Sequence, residues 1–296
     1  MTGAGRPRAA AGVVRGLAAA VSAAGLVLAA RPFRRPVGRP AWTRRNWRDR
    51  PVSLAGGPMA VGGALAAAPS LPAVVAAGTA LAVGRYDDVA GARPEQHRDK
   101  GFRGHLAALR AGRVSAGLVK VVAIGGAALV AASTSPASRR RAVPTAGGRG
   151  PLPVGLDVGL DAALVAGTAN LVNLLDLRPG RALKVVAAGS GVVLLRPGAH
   201  DRRPAGALVG AALAALPDDV GERTMLGDAG ANGLGVLLGL SLVGSTGRRG
   251  RLGLLGGVVA LTAASERVSF SAVIERTPAL AWLDGLGRPR DPASGR

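Results

Sequence analysis

Uncharged stretches recur along the whole chain. Val121 to Ser138 contains no charged residue, nor does Ala229 to Gly247, and the longest such run, Pro51 to Gly84, is interrupted only by prolines. Shorter ones cover Gly16–Ala30, Ala162–Leu175, Val185–Leu195, Pro204–Pro217 and Leu252–Ser265. None alternates apolar and polar residues as a half-buried strand does, and none keeps the polar face of a surface helix. A helix that is apolar all round is either deep in a core or within a lipid bilayer, where about 20 residues are needed to cross. The pattern predicts helices near 11–30, 52–68, 71–84, 115–133, 152–169, 182–196, 204–217, 229–245 and 252–264. The expected fold is therefore all-α: a polytopic integral membrane protein of about nine to ten transmembrane helices, with its polar loops on the cytoplasmic side. Residues 1–264 form the membrane domain of this reading, and 265–296 a cytoplasmic C-terminal tail. Arg6 and Arg8 ahead of an apolar stretch resemble a signal peptide, but further spans downstream favour an uncleaved first helix.

Composition sharpens this picture. Only three Phe, three Trp and one Tyr occur in 296 residues, too few large side chains for a soluble core of that length. Abundant Gly and Ala instead suit the close helix contacts found in lipid. With no cysteine and three histidines, disulfides, thiolate metal sites and cysteine nucleophiles are excluded. The net charge of +21 invites a nucleic-acid reading. The basic residues nevertheless fall in short loops, with only Trp42 and Trp47 interleaved, so no nucleic-acid partner is expected.

Arginine placement orients the chain. With residues 31–51 in the cytoplasm, 24 of the 38 Lys and Arg lie on that side, as the positive-inside tendency favours. Fourteen of the 17 acids lie there too, all but Asp157, Asp161 and Asp201. Acids contribute little to topology, so carboxylates concentrated on one face point to chemistry there.

Several clusters carry that chemistry. Asp87 and Asp88 follow a span directly; adjacent carboxylates repel, and a cation or a raised pKa relieves them. Asn170, Asn173 and Asp176 are spaced three apart, which places them on one helical face. Pro179-Gly180 ends that helix, and Arg181 and Lys184 follow where phosphates could be met. Asp228 sits among Gly227, Gly230, Gly233 and Gly235, where a ligand can approach the backbone closely. Lys100, with Arg103 and His105, forms a basic stretch after the aspartate pair. Asp157 and Asp161 read as interfacial, and Asp218, Asp219 and Glu222 as loop residues.

In this order the residues resemble the polyprenyl-phosphate N-acetylhexosamine-1-phosphate transferases, the bacterial MraY and WecA family, over roughly residues 40–265. Asn46-Trp-Arg and Gly56-Gly57 are similar to an early segment of that family, and Asp87-Asp88 to its aspartate pair. Asn170, Asn173 and Asp176 resemble its N-x-x-N-x-x-D, and Asp228, with Gly227, Gly230, Leu234 and Gly235, its M-G-D-x-G-S-x-x-L-G. The resemblance implies a Mg²⁺-dependent attack of polyprenyl phosphate on a UDP-amino sugar in the bacterial plasma membrane, releasing UMP. It implies catalytic roles for Asp87, Asp88 and Asp228, with Asp228 and Asp88 at the metal. Asn170, Asn173, Asp176, Lys100, Arg181 and Lys184 would bind substrate, and a homodimer is the expected assembly. Two departures fall on recognition elements: no histidine follows His200, where the family carries a histidine motif, and Pro179 replaces a second aspartate. They leave a second expectation open, a non-catalytic descendant that binds the lipid carrier or serves as a scaffold. A transporter is disfavoured because the acids cluster at one face.

Overall fold

A computed structural model describes residues 5–34, 40–90, 110, 116–136 and 154–289. The architecture is all-α with one short hairpin. In chain order the helices are α1 (Gly5–Ala30), α2 (Gly56–Ala67), α3 (Leu71–Ala90), α4 (Ala116–Thr134), α5 (Val154–Leu175), α6 (Arg181–Leu195), α7 (Arg203–Val220), α8 (Gly227–Ser245), α9 (Arg248–Ser265), α10 (Phe270–Arg276) and α11 (Pro278–Gly285). A helix stands at each of the nine predicted segments.

Membrane competence is concentrated in fewer helices. Among the described residues three are long and apolar enough to cross a membrane: Ala9–Arg34, Gly117–Thr134 and Gly155–Leu175. A fourth arises if α9 and α10, bent by 95° at their junction, count as one broken span. The expected helix over 52–68 is the shortest match. Residues 51–53 pair as a strand, and α2 keeps only 12 residues, about 18 Å.

The hairpin explains that shortening. β1 (Thr43–Arg45) runs antiparallel to β2 (Pro51–Ser53), with Arg44 opposite Val52. Asn46 closes the turn, its Oδ1 accepting the amides of Arg48 and Arg50 at 2.9 and 3.0 Å. Ser53 bridges to Thr224, so the hairpin is anchored against the α7–α8 turn.

Small residues bring the helices together. A side chain at Gly57 would strike the backbone of Leu226 and Gly230, and one at Gly84 the backbone of Asp228 and Ala229. α2 and α3 therefore rest directly on the first turn of α8. The same device joins α1 to α7, where Gly206 meets Gly16 and Gly210 meets Ala20. The core is correspondingly rich in Ala, Val and Leu.

One charged cluster departs from expectation. Asp161 is not interfacial: it is fully buried and ion-paired with Arg251, itself 1% exposed. Asp157 joins them at 3.1 Å from Arg251 and 3.8 Å from Arg248. Charges in this environment persist when paired, which is why the start of α9 docks on the start of α5.

Candidate functional site

Asp87 and Asp88 end α3, and neighbours on a helix point about 100° apart, so the two take different partners. Asp88 turns inward onto the first turn of α8. Its Oδ1 accepts the Asp228 amide at 3.0 Å and its Oδ2 the Ala229 amide at 3.2 Å, while Arg44 reaches Oδ1 at 3.2 Å. Unsatisfied amides and the helix dipole favour an anion there. Gly227 makes the approach feasible: its φ of 62° is left-handed, and a Cβ would press on both Asp88 oxygens and on Leu54. Burial, and then the Asp228 charge, raise the Asp88 carboxyl to about 6 against the opposing amides and Arg44.

Asp87 faces the other way, toward α4. Lys120 Nζ donates to Asp87 Oδ2 at 2.7 Å and stands 3.4 Å from Asp228 Oδ1. The ammonium thus bridges two of the expected catalytic carboxylates. Burial raises the Asp228 pKa most; Lys120 opposes the shift and Asp87 adds to it. Lys120 was legible in the sequence as a lone charge inside an apolar segment, the usual mark of a functional or paired residue in a span.

Behind this trio lies a second group of acids. Asn173 and Asn232 approach at 3.5 Å, and Asn232 Nδ2 donates to the Asp228 carbonyl at 2.7 Å, tying α5 to α8. Asn170, on the same helix, is exposed. Asp176 is half-buried just past α5. Its pKa stands well above the ordinary carboxylate value, through burial first and then Asp219, Asp228 and Asp88.

Asp218 and Asp219, expected in a loop, instead finish α7 and are buried, and Glu222 follows in a left-handed turn at φ 54°. The apolar run to Leu216 continues one helical turn further because these acids find partners. Asp218 pairs with Arg31, Arg34 and Arg223. Asp219 accepts the Gly180 amide, and burial pushes its carboxyl up to about 6. Glu222 takes Arg48, Arg50 and Asn46.

Asp176, Asp219 and Glu222 line a pocket of about 160 Å³ that is walled on one side by Asn46 and Trp47 of the hairpin turn. The Trp47 ring lies 3.9 Å from the Arg178 guanidinium and 4.7 Å from that of Arg48. The cations stiffen an aromatic wall beside the carboxylates.

The basic residues expected at phosphates are arranged differently. Arg181 is buried and grips Asp284 through two bonds of 2.9 and 3.0 Å, with a third to Ser271 at 3.0 Å. Lys184 donates to the carbonyls of Leu283 and Asp284. Arg288 returns to Asp284 and to the Pro179 carbonyl. Both residues therefore hold α10 and α11 against the 178–184 turn in place of a free phosphate, and residues 265–289 fold back onto the site. Lys100, with Arg103 and His105, lies outside the described residues.

Mg²⁺ usually takes one or two carboxylates and completes its shell with water and substrate phosphate. Asp87 and Asp228, facing each other across one ammonium, fit that requirement. Asp88 is the more engaged of the pair: three donors already occupy its oxygens. Among the described residues no three His, Cys, Asp or Glu side chains group as a self-sufficient metal cage.

Fold and site together define an all-α protein with membrane-competent helices and an acid-rich polar site at one end of its bundle. No family model matches the chain, and no curated protein matches it.

Proposed function

We propose that this chain is a membrane-embedded transferase of the polyprenyl-phosphate N-acetylhexosamine-1-phosphate type, with nine or so spans and its site on the cytoplasmic face. One observation carries the reading: Asp87 and Asp228, far apart in the chain, meet across Lys120, and Asp88 holds the first turn of the helix that Asp228 begins. A phosphate oxygen of the lipid carrier would attack the sugar-linked phosphorus of a UDP-amino sugar. The new P–O bond forms as the bond from that phosphorus to UMP breaks, so UMP leaves with the bridging oxygen. Bound between Asp87 and Asp228, Mg²⁺ would supply charge neutralisation for the diphosphate. Lys120, on a flexible stem, is placed to exchange a carboxylate partner for a phosphate oxygen. Asp88 holds the α8 terminus, and with it Asp228, in register. The pocket beside Trp47 and Asp176 would take the nucleotide end of the donor.

The second reading, a non-catalytic descendant that binds lipid carrier or acts as a scaffold, is favoured by a different observation. Among the described residues, Asp87 and two of the expected phosphate-binding cations are satisfied within the chain, Asp87 by Lys120, Arg181 by Asp284 and Lys184 by the carbonyls of Leu283 and Asp284.

Purified full-length protein, polyprenyl phosphate, Mg²⁺ and a panel of UDP-amino sugars separate the two. The transferase releases UMP with at least one donor, stops in chelator, and slows by about 10²-fold or more in Asp228→Asn, the scale of losing a preorganised charge partner. No UMP from any donor, beside an active control enzyme, leaves the scaffold reading standing.

A further inference from the structure

At the end of the bundle away from the carboxylates, α2, α3, α7 and α8 part around a cavity of about 300 Å³. Asp228 begins α8 and Ser241 lies near its end, so about 20 Å of helix separates the two sites. The cavity walls are apolar and buried, formed by Ala64, Ala73, Leu208, Leu237 and Val243. Its exposed polar groups are Ser70, His200 and Asp201, where the helices end. Asp201 is already held by Arg203 at 2.9 Å, and buried Ser241 spends its hydroxyl on the Leu237 carbonyl at 3.0 Å.

That arrangement selects an occupant. Protein interiors pack densely, and an empty space of this size forfeits contacts along its whole lining. Water needs two to four polar partners; most of this lining is apolar, and its polar side chains are Ser70, Ser135, His200, Asp201 and Ser241. A hydrocarbon chain needs none. Taking roughly 30 Å³ per carbon, the share of one liquid water, the space holds about ten carbons. The polar rim sits where the head of such a molecule would remain. The carrier lipid of the proposed reaction keeps its phosphate at the opposite end, so a chain entering here belongs to a lipid with its head group at this end.

We propose that this cavity binds one acyl chain of a membrane phospholipid, with the head group at the His200–Asp201 rim. The inference rests on the membrane part of the proposed function and is independent of the transfer chemistry.

Full-length protein in vesicles containing phosphatidylcholine with a diazirine near the tenth carbon of one acyl chain tests it. After irradiation, the label is expected on segments 64–73, 204–208 and 237–244, in addition to lipid-facing Leu129 and Val130. Ala73→Phe and, separately, Ala68→Phe fill the space; each is expected to lower cavity labelling by about fivefold or more while labelling of Leu129 and Val130 is unchanged. Wild-type label confined to the outer faces overturns the proposal and leaves the membrane reading intact. So does full cavity labelling in both filled variants. No label anywhere overturns both readings. The wild-type map decides without relying on any variant to fold.

Discussion

Both ends of α5 hold aspartates, and the two ends are wired in opposite ways. At its start, Asp157 and Asp161 meet Arg248 and Arg251, two acids with two cations. Past its end, Asp87, Asp88 and Asp228 share Lys120 and Arg44, while Asp176 and Asp219 lean on backbone amides. Among the described residues the charges of the first cluster balance, and Asp161 and Arg251 are sealed from solvent. The second carries surplus carboxylate beside an open pocket, and several of its acids are held above their ordinary pKa. A closed cluster reads as a fastening between helices. An acid surplus that burial makes costly reads as a site waiting for a cation or a charged ligand.

The largest effect should come from opening the closed cluster. Arg251→Ala removes an ion-pair partner from the buried Asp161, and losing one partner of a buried pair typically costs about 3–5 kcal/mol. Denaturation of the purified protein should therefore show a marked loss of stability. Replacing both partners with apolar residues, Arg251→Met with Asp161→Leu, should recover most of it. If Arg251→Ala is as stable as the parent, this cluster is no fastening and the contrast between the two ends fails.

A smaller effect belongs to the open end and depends on pH. The Asp219 carboxyl is raised from 3.8 to about 6, chiefly by burial. The folded state therefore holds its proton more tightly than the unfolded chain does. The resulting contribution is complete below about pH 4 and is lost as pH rises to about 6, up to roughly 3 kcal/mol in all. Thermal midpoints of the parent, measured against Asp219→Asn to cancel other groups, should fall across that window. A difference that stays flat from pH 4 to 7 would show that the Gly180 amide already compensates the buried charge.

Much of this contrast was readable before the fold was known. Uncharged runs located the nine long helices because apolar length alone determines them. The three-residue spacing of Asn170, Asn173 and Asp176 suggested one helical face, but Asn170 is exposed and Asp176 lies just past α5, so only Asn173 approaches the α8 helix of Asp228. What escaped was pairing across long separations. Asp218 and Asp219 read as loop acids because their partners, Arg31, Arg34 and the Gly180 amide, lie far away in sequence. Arg181 and Lys184 read as phosphate ligands because Asp284 stands about a hundred residues on. Asp87 and Asp88 could not be told apart, since only the packing of Gly84 on α8 decides which of the two turns inward.

The smallest effect is the most pointed, because its sign differs between the two ends. Asp228 is pushed above its ordinary pKa by burial and by Asp87, although Lys120 opposes the shift. Neutralising it removes repulsion, and Lys120 keeps its 2.7 Å partner in Asp87. Asp228→Asn should therefore raise stability slightly, by about 1 kcal/mol, the gain commonly seen when a strained functional group is relieved. Asp161→Asn, the matching change at the closed end, leaves Arg251 short of a counter-charge and should lower stability. Paired denaturation curves read both signs directly. Loss of stability in both variants would mean that the open end is as closed as the other, and would remove the physical argument for a charged ligand there.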